Sequence, residues 1–300
     1  MSDHRVAVVA DSTCYLPVGW AERYDIAVVP VQVIINGQPF DETEDSQAAR
    51  VAEALTDWQV VTTSRPSPVR FLEAYTWAAE RGASEIVVAT LSAAMSATYE
   101  SAVMAAKECD IPVRVVDSRT IAMGLGFAVL SGARAAASGA DADRVAEAIM
   151  ERAQASSTFF YVDTLEYLRR GGRISAARAA VGHALKVKPL LRVVDGHVAS
   201  LEQVRTAGRA LARLEDLAVE AADDRVVDIA VQHLASPDRA AALAERLRGR
   251  LPDATVVECP VGGVVGAHVG PGMVAVVVAP RTAGSEADVP DAAGPGAGGT

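Results

Sequence analysis

The stretch EIVVATLSAAMSATYESAVMAAK, residues 85–107, decides the fold because a strand and a helix meet inside it. Its continuous apolar beginning predicts a strand buried on both faces, and its end has the spacing of a helix. Ser92, Ser96 and Thr98 lie at the junction between the two. In α/β proteins, ligands bind beside the carboxyl ends of strands, where helices begin with free N–H groups. The junction therefore predicts contacts to a small anionic group, with helix capping by the same hydroxyls as the alternative.

The same alternation of apolar runs and helical patterns continues on both sides of this stretch. Strands are predicted at residues 5–10, 26–35, 86–91 and 113–117, and helices at 45–56, 71–81, 121–137 and from 143 onward. Pro30 interrupts the second strand, Asn36-Gly37 closes it with a turn, and TTSRPSP at residues 62–68 is predicted to be a loop. Polar residues that follow parallel strands should converge on one edge of the sheet.

The second half of the chain predicts another α/β unit. Strands are expected at residues 158–162, 226–232, 255–259 and 273–279, and a β-hairpin at 188–201 turns at Asp195-Gly196. Ser175 is expected to cap a helix, and VGGVVGAHVGPG, residues 261–272, is expected to be a glycine-rich loop. The chain therefore divides into an N-terminal α/β domain, residues 1–155, a C-terminal α/β domain, residues 156–281, and a disordered Ala/Gly/Pro tail, residues 282–300.

Composition narrows the classes of function. The 300 residues carry a net charge of −10 with a pI near 5.0, which argues against nucleic acid or an anionic membrane as the main partner. Three widely spaced cysteines predict a reducing compartment without a disulfide framework. Because the N-terminal apolar run is too short for the core of a signal peptide, and no apolar run approaches the length of a membrane span, we expect a cytoplasmic location without stable membrane insertion.

Several single residues have more than one interpretation. His268 is a candidate ligand for an anion or a catalytic base, or it hydrogen-bonds its own backbone. Asp11 has the position of a phosphoryl-transfer aspartate, but an Asp-Ser turn is the favoured interpretation. Residues 41–45 are expected to be a solvated acidic loop, and no spacing of His or Cys predicts a metal site. A group of basic residues is either a solvated helix end or a docking or phosphate-facing patch, and it consists of Arg169, Arg170, Arg173 and Arg205.

Eight short motifs together give a more specific signal than any of these residues. In chain order, between about residues 5 and 280, they are VVADST, TSRPSP, SAAMSATY, VDSRT, TLEYLRRGGRIS, LKVKPLLRVVDGHV, VRT and GAHVGPG. With them the chain resembles the DegV family of bacterial fatty-acid-binding proteins. It departs from the usual family pattern at Arg65, Ala93 and Ala97, where the family has Gln, Ser and Gly.

The resemblance implies a two-domain DegV-like α/β fold, with a mostly parallel N-terminal sheet, flanking helices, and a second α/β domain containing a β-hairpin. It implies an apolar tunnel for a long-chain fatty acid whose carboxylate is bound by Thr63 and Ser96, with His268 nearby. Arg173 and Arg205 would face the ATP-dependent catalytic subunit of fatty acid kinase. That partner would phosphorylate the presented carboxylate, and the acyl phosphate would feed phospholipid synthesis. The chain itself would be a carrier without catalysis and without a cofactor.

Two other functions stay open at this point. Ser96 and His268 could be the nucleophile and base of a serine hydrolase or phosphatase, although no Gly-x-Ser-x-Gly elbow surrounds any serine. The chain could also be a small-anion sensor without a lipid tunnel. In that case the space between the domains would be filled by side chains.

Overall fold

The computed structural model describes residues 5–42, 46–174 and 187–281. The predicted helix cap at Ser175 and the predicted tail at 282–300 lie outside the described residues. Within the described ranges, no helix combines the length and the apolar character that crossing a membrane requires.

Strands and helices alternate along most of the chain. The first half contains β1 (Val6–Asp11), a short 3-10 turn (Ser12–Cys14), α1 (Trp20–Arg23), β2 (Ile26–Val29), β3 (Gln32–Ile35), β4 (Gln38–Asp41), α2 (Ser46–Thr56), β5 (Val61–Ser64), α3 (Pro68–Glu80), β6 (Glu85–Thr90), α4 (Thr98–Ala106), β7 (Val113–Asp117), α5 (Met123–Ala137) and α6 (Ala142–Ala155). The second half contains β8 (Ser157–Tyr161), α7 (Glu166–Arg170), β9 (Lys188–Val194), β10 (His197–Val204), α8 (Ala207–Ala222), β11 (Val227–His233), α9 (Pro237–Arg250), β12 (Thr255–Pro260), α10 (Gly263–Val269) and β13 (Val274–Pro280).

The first sheet has the strand order β2-β1-β6-β7, and all of its neighbouring strands are parallel. Its central strands are buried on both faces, as their continuous apolar sequences predict. Alternate residues point to opposite sides, so Val8 and Val87 face α5 and α6 while Val9 and Val88 face α3 and α4. The prediction of a mostly parallel N-terminal sheet with flanking helices is confirmed.

The second sheet has the order β10-β9-β8-β13-β11-β12 and mixes both strand directions. Only β11 and β12 are parallel neighbours, and the other pairs are antiparallel. The predicted hairpin is β9–β10, whose two-residue turn has positive φ at both Asp195 (51°) and Gly196 (77°). The prediction of a second α/β unit with a β-hairpin is confirmed.

Helices α5 and α6 form a layer that both sheets share. Phe127 and Ile149 from this layer belong to one apolar cluster with Val87 of the first sheet and Val277 of the second. The layers therefore follow one another as α3 and α4, first sheet, α5 and α6, second sheet, and α8 and α9. The division into domains at residue 155 stays a prediction, because apolar burial continues from one sheet to the other through the shared layer.

A small third sheet, β4-β3-β5, corrects two predictions. The apolar run 26–35 is two strands in different sheets, because Pro30 supplies no N–H for a continuous ladder. The segment 62–68, predicted to be a loop, begins inside strand β5, where Thr63 lies opposite Val33. The predicted Asn36-Gly37 turn is confirmed between β3 and β4, and both of its residues have positive φ.

The prediction that the glycine-rich segment 261–272 is a loop is also wrong, because most of the segment is helical. Residues Gly263–Val269 form helix α10, which packs against α2 and the third sheet. Glycine disfavours helices by about 1 kcal/mol per residue, and burial of Val264 and Ala267 offsets this cost. Gly266 allows the close packing, because a Cβ there would lie 3.1 Å from the side chain of Leu234.

Candidate functional site

The turn after β6 is held by carboxylates at the ends of the neighbouring strands. The Leu91 backbone N–H donates to Asp11 Oδ2 at 2.7 Å, and the Ala93 N–H donates to Asp117 Oδ1 at 3.0 Å. Asp11 is fully buried and also accepts from the Thr13 N–H and hydroxyl. Burial raises the pKa of Asp11 to about 6, although the hydrogen bonds from these donors act to lower it. These contacts agree with the turn interpretation of Asp11, and they fix the turn that carries Ser96.

The three hydroxyls of this turn have different surroundings. Ser92 is buried and donates to the Gly196 carbonyl at 2.8 Å, so it joins the first sheet to the β9–β10 hairpin. Thr98 is buried at the start of α4, and its Oγ1 lies 2.8 Å from Ser96 Oγ. Ser96 lines a cavity, and Ser92 and Thr98 do not. The proposed anion contact at this junction therefore narrows to Ser96.

The cavity has a volume of about 100 Å³ and lies where all three sheets approach one another. Its wall is mostly apolar and includes Val31, Leu91, Met95, Ile121, Phe160, Leu168, Val193, Val198, Val264, Val269, Met273 and Ala275. Side chains of β8, β10 and β13 that face the first half of the chain supply one side, because alternate strand residues point to opposite faces.

The polar part of the cavity wall brings together three segments that lie far apart in the sequence. Thr63 from β5, Ser96 from the turn after β6, and His268 from α10 all line it. Thr63 Oγ1 lies 2.9 Å from His268 Nε2, so the two side chains are hydrogen-bonded. Arg173 lines the same cavity and donates from Nε to the Met95 carbonyl at 3.2 Å.

The His268 ring is neutral at physiological pH. Burial, and then the positive charge of Arg173, lower its pKa from 6.5 to about 4. Its Nδ1 is buried without a hydrogen-bond partner among the described residues. A buried lone pair without a donor is better tolerated than a buried N–H without an acceptor, so we assign the proton to Nε2. His268 then donates to Thr63, and the Thr63 hydroxyl proton is free to point into the cavity.

Gly171 fixes how closely the His268 ring approaches the segment after α7. A Cβ on Gly171 would lie 2.1 Å from His268 Nδ1, although the backbone there has an ordinary φ of −73°. Gly270 likewise packs directly against the Tyr167 ring, since a Cβ on Gly270 would lie 2.1 Å from that ring. The glycines of both segments therefore permit direct packing of α10 on α7.

Gly171→Ala is expected to displace the His268 ring and to lower the free energy of unfolding by about 1–3 kcal/mol, through overpacking. Gly208→Ala is the matched control, because an exposed Cβ at residue 208 in α8 would meet no atom within 4 Å. Urea unfolding of both variants measures the effect. Equal stability of the two variants would contradict the close contact between Gly171 and His268.

Glu42 holds the other end of helix α10, contrary to the prediction that residues 41–42 belong to a solvated loop. It is 7% exposed, and its Oε1 accepts from the Val264 N–H at 2.7 Å and the Tyr15 hydroxyl at 3.2 Å. Its Oε2 accepts from Ser12 at 2.7 Å. Burial and, to a smaller extent, the charge of Asp11 raise the pKa of Glu42 from 4.5 to about 7, although its hydrogen bonds act in the opposite direction. The sequence DETED at residues 41–45 gave no signal that one of its four acidic residues is buried.

Two arginines of the predicted basic patch lie in different environments. Arg173 is half-buried in the cavity wall, whereas Arg205 is exposed between β10 and α8 and lies outside that wall. The docking role of both residues stays a prediction. Among the described residues, no group of three His, Cys, Asp or Glu side chains is placed to hold a metal ion.

The fold and this site define a class of α/β protein, in which sheets around a shared helical layer enclose an apolar cavity with polar groups on part of its wall. The family model described as an uncharacterised protein of the DegV family matches residues 5–281. The chain belongs to the DegV family.

Comparisons with individual proteins agree with this assignment. The chain is 50% identical over 282 residues to a DegV domain-containing protein of Streptomyces coelicolor, covering 94% of this chain and 100% of that one. It is 39% identical to a DegV domain-containing protein of Mycobacterium tuberculosis, covering 91% and 96%. A solved DegV family protein from Thermus thermophilus, described as fatty acid binding, has a TM-score of 0.86 at 29% identity, covering 92% and 100%. DegV of Bacillus subtilis, described as a fatty acid binding protein, has a TM-score of 0.83 at 27% identity, covering 93% and 100%.

Proposed function

We propose that this protein binds a long-chain fatty acid in the apolar cavity and presents the carboxylate to a partner kinase. The observation that carries the proposal is the convergence of Thr63, Ser96 and His268 on one mostly apolar cavity. The fatty acid binding described for the structures from Thermus thermophilus and Bacillus subtilis supports the same ligand class. The presence of a cavity, rather than a filled core, favours a lipid carrier over a small-anion sensor.

Burial of the acyl chain supplies most of the affinity. Each buried methylene contributes roughly 0.8 kcal/mol, so about fifteen methylenes give roughly 12 kcal/mol before the costs of ordering. A long chain is larger than the cavity of about 100 Å³, and side chains must move apart to admit it. Met95 and Met273 lie in the wall, and methionine changes its rotamers readily. The polar groups need only orient the head group.

The head group is held by neutral hydroxyls, and two arginines, Arg65 and Arg173, lie in the same cavity wall. Thr63 donates its free hydroxyl proton to the carboxylate because His268 occupies its oxygen, and Ser96 supplies a second hydroxyl. Arg173 favours a negative charge nearby while its own N–H groups bond to backbone carbonyls. A carboxylate held in this way keeps an oxygen available for phosphoryl transfer.

The kinase partner is the more specific part of the proposal, and only the family resemblance supports it. The partner would be the ATP-dependent catalytic subunit of fatty acid kinase, with Arg173 and Arg205 on the docking side. Phosphoryl transfer would take place on the partner, and the acyl phosphate would enter phospholipid synthesis. A location in the cytoplasm fits such a partner.

The alternative of a serine hydrolase or phosphatase has less support from the geometry. With its proton on Nε2, His268 could act as a base only through Nδ1, which is buried against Gly171 and has no hydrogen bond to Ser96. The Ser96 hydroxyl is bonded to Thr98 instead. The lowered pKa of His268, about 4, also makes the ring a weak base at neutral pH.

Thr63→Val is expected to weaken fatty acid binding about tenfold or more, because it removes a hydroxyl that donates to a charged group. Thr62→Val is the matched control, since residue 62 is the exposed neighbour on the same strand. Mass spectrometry of organic extracts from both purified variants and titration with oleate or palmitate measure the difference. Absence of co-purified and of added fatty acid in the wild type would refute the proposal.

Ser96→Ala is expected to reduce acyl phosphate formation by a purified fatty acid kinase subunit with ATP. Unchanged turnover would contradict the role of Ser96 in presenting the carboxylate. Labelling of Ser96 by a fluorophosphonate would instead favour the hydrolase.

A further inference from the structure

Thr158 places a further polar group in the cavity wall, in addition to those proposed to hold the carboxylate. It lies on β8, is 6% exposed, and its Oγ1 is buried without a hydrogen-bond partner among the described residues. Buried hydroxyls are nearly always bonded, because an unpaired one keeps its full cost of desolvation. The hydroxyl therefore needs a hydrogen-bond partner that the described residues do not supply.

The beginning of helix α5 lies beside this hydroxyl. A Cβ on Gly124 would be 2.4 Å from Thr120 Oγ1 and 3.3 Å from Thr158 Oγ1, so only glycine lets these hydroxyls lie this close to the helix. Ile121 and Ala122, directly before the helix, line the cavity, and Ala122 supplies no side-chain cap. The Met123 N–H is bonded to buried Gln232 at 3.0 Å. Although the Met123 N–H is occupied, the dipole of this 15-residue helix has its positive end beside the hydroxyl and favours a ligand oxygen there.

This position is separate from the polar groups proposed to hold the carboxylate. Thr158 lies at the beginning of β8, and Phe160 is two residues further along on the same face. The chain then leaves the strand toward α7, Gly171 and Arg173, where His268 packs. An acyl chain that starts at His268 therefore passes Phe160 before it reaches Thr158.

We infer that the cavity selects acyl ligands that carry an oxygen on the chain, such as hydroxy or oxo fatty acids. The inference rests on the proposed function and specifies its ligand class. A hydroxyl or keto oxygen beside Thr158 accepts its hydrogen bond, while an unsubstituted methylene leaves the hydroxyl unpaired. The protein gains selectivity in this way, because a site with an unpaired polar group discriminates against ligands that cannot pair with it.

The test compares stearate with stearates that carry one hydroxyl at successive chain positions. Wild-type protein is expected to bind at least one of these isomers about three- to tenfold more tightly than stearate. Thr158→Val keeps the shape of the side chain and removes the hydroxyl. It is expected to abolish the preference and to bind stearate at least as tightly as the wild type. Thr62→Val, on the exposed side of β5, is expected to keep the preference.

The outcomes of this test separate a failure of the inference about Thr158 from a failure of the proposed function. If wild-type protein binds stearate but prefers no hydroxylated isomer, the inference about Thr158 is overturned while the proposed function stands. A preference that persists in Thr158→Val overturns it as well. If neither stearate nor any isomer binds, the proposed function itself has failed.

Discussion

Replacement of Arg152 by leucine is expected to lower the free energy of unfolding by about 3 kcal/mol. Arg152 on α6 is 2% exposed and pairs with fully buried Asp228 of β11 at 2.5 Å. It also donates to the carbonyl of Pro280. Loss of one partner of a buried ion pair costs about 3–5 kcal/mol, because the remaining charge stays buried. Arg281 still pairs with Asp228 at 2.7 Å, so the lower part of that range is expected.

Arg144→Leu is the matched control for this experiment. Arg144 lies on the same helix, is exposed, and pairs only with Glu147 three residues away among the ion pairs of the described chain. Exposed pairs of this kind contribute little to stability, so its unfolding curve should stay close to that of the wild type. Equal urea midpoints for Arg152→Leu and Arg144→Leu would show that the buried pair does not hold α6 on the second sheet. Arg152→Lys, which keeps the charge without the planar donors, should fall between them.

The regular parts of the fold could be predicted because their signals are local. Continuous apolar runs identify β1 and β6, since a strand covered on both faces has no polar side. The Asp195-Gly196 pair identifies the β9–β10 turn through the positive φ that its backbone requires. Strand β5 gave no such signal, because Val61–Ser64 is short, precedes two prolines, and is a strand only through its pairing with β3.

The candidate site could be predicted only through motifs compared with a family. Thr63, Ser96 and His268 have hydroxyl and imidazole groups that many helix caps and turns also contain, so their chemistry alone leaves several roles open. Their common cavity depends on packing of three distant segments. Thr158 and Gly171 were not predicted as site residues for the same reason, because their roles depend on contacts with residues that are remote in the sequence.

Between pH 7.5 and pH 5, the free energy of unfolding of the wild type is expected to rise by about 2 kcal/mol relative to that of Glu42→Gln. The folded-state pKa of Glu42 is about 7, above its usual 4.5, so protonation favours the folded state. This contribution is complete below about pH 4.5 and is lost as the pH rises through 7. Glutamine does not titrate, so the wild type should gain stability relative to the variant as the pH falls.

Comparison at equal pH is necessary because other groups titrate in the same range. The folded-state pKa of His268, about 4, lies below its usual 6.5, so its contribution to stability is lost as the pH falls from 6.5 to 4. Asp11, with a pKa near 6, acts in the same direction as Glu42. Both groups are present in wild type and variant, and Glu53→Gln on the exposed side of α2 controls for the loss of one negative charge.

Urea unfolding at the two pH values measures this difference. A gap between wild type and Glu42→Gln that is the same at pH 7.5 and pH 5 would contradict the buried state of Glu42. The result also bears on the ligand site, because Glu42 accepts from the Val264 N–H at the start of the helix that carries His268. A glutamine keeps only one acceptor oxygen for Val264, Tyr15 and Ser12. Looser anchoring of α10 should therefore weaken fatty acid binding in Glu42→Gln even where Thr63, Ser96 and His268 are unchanged.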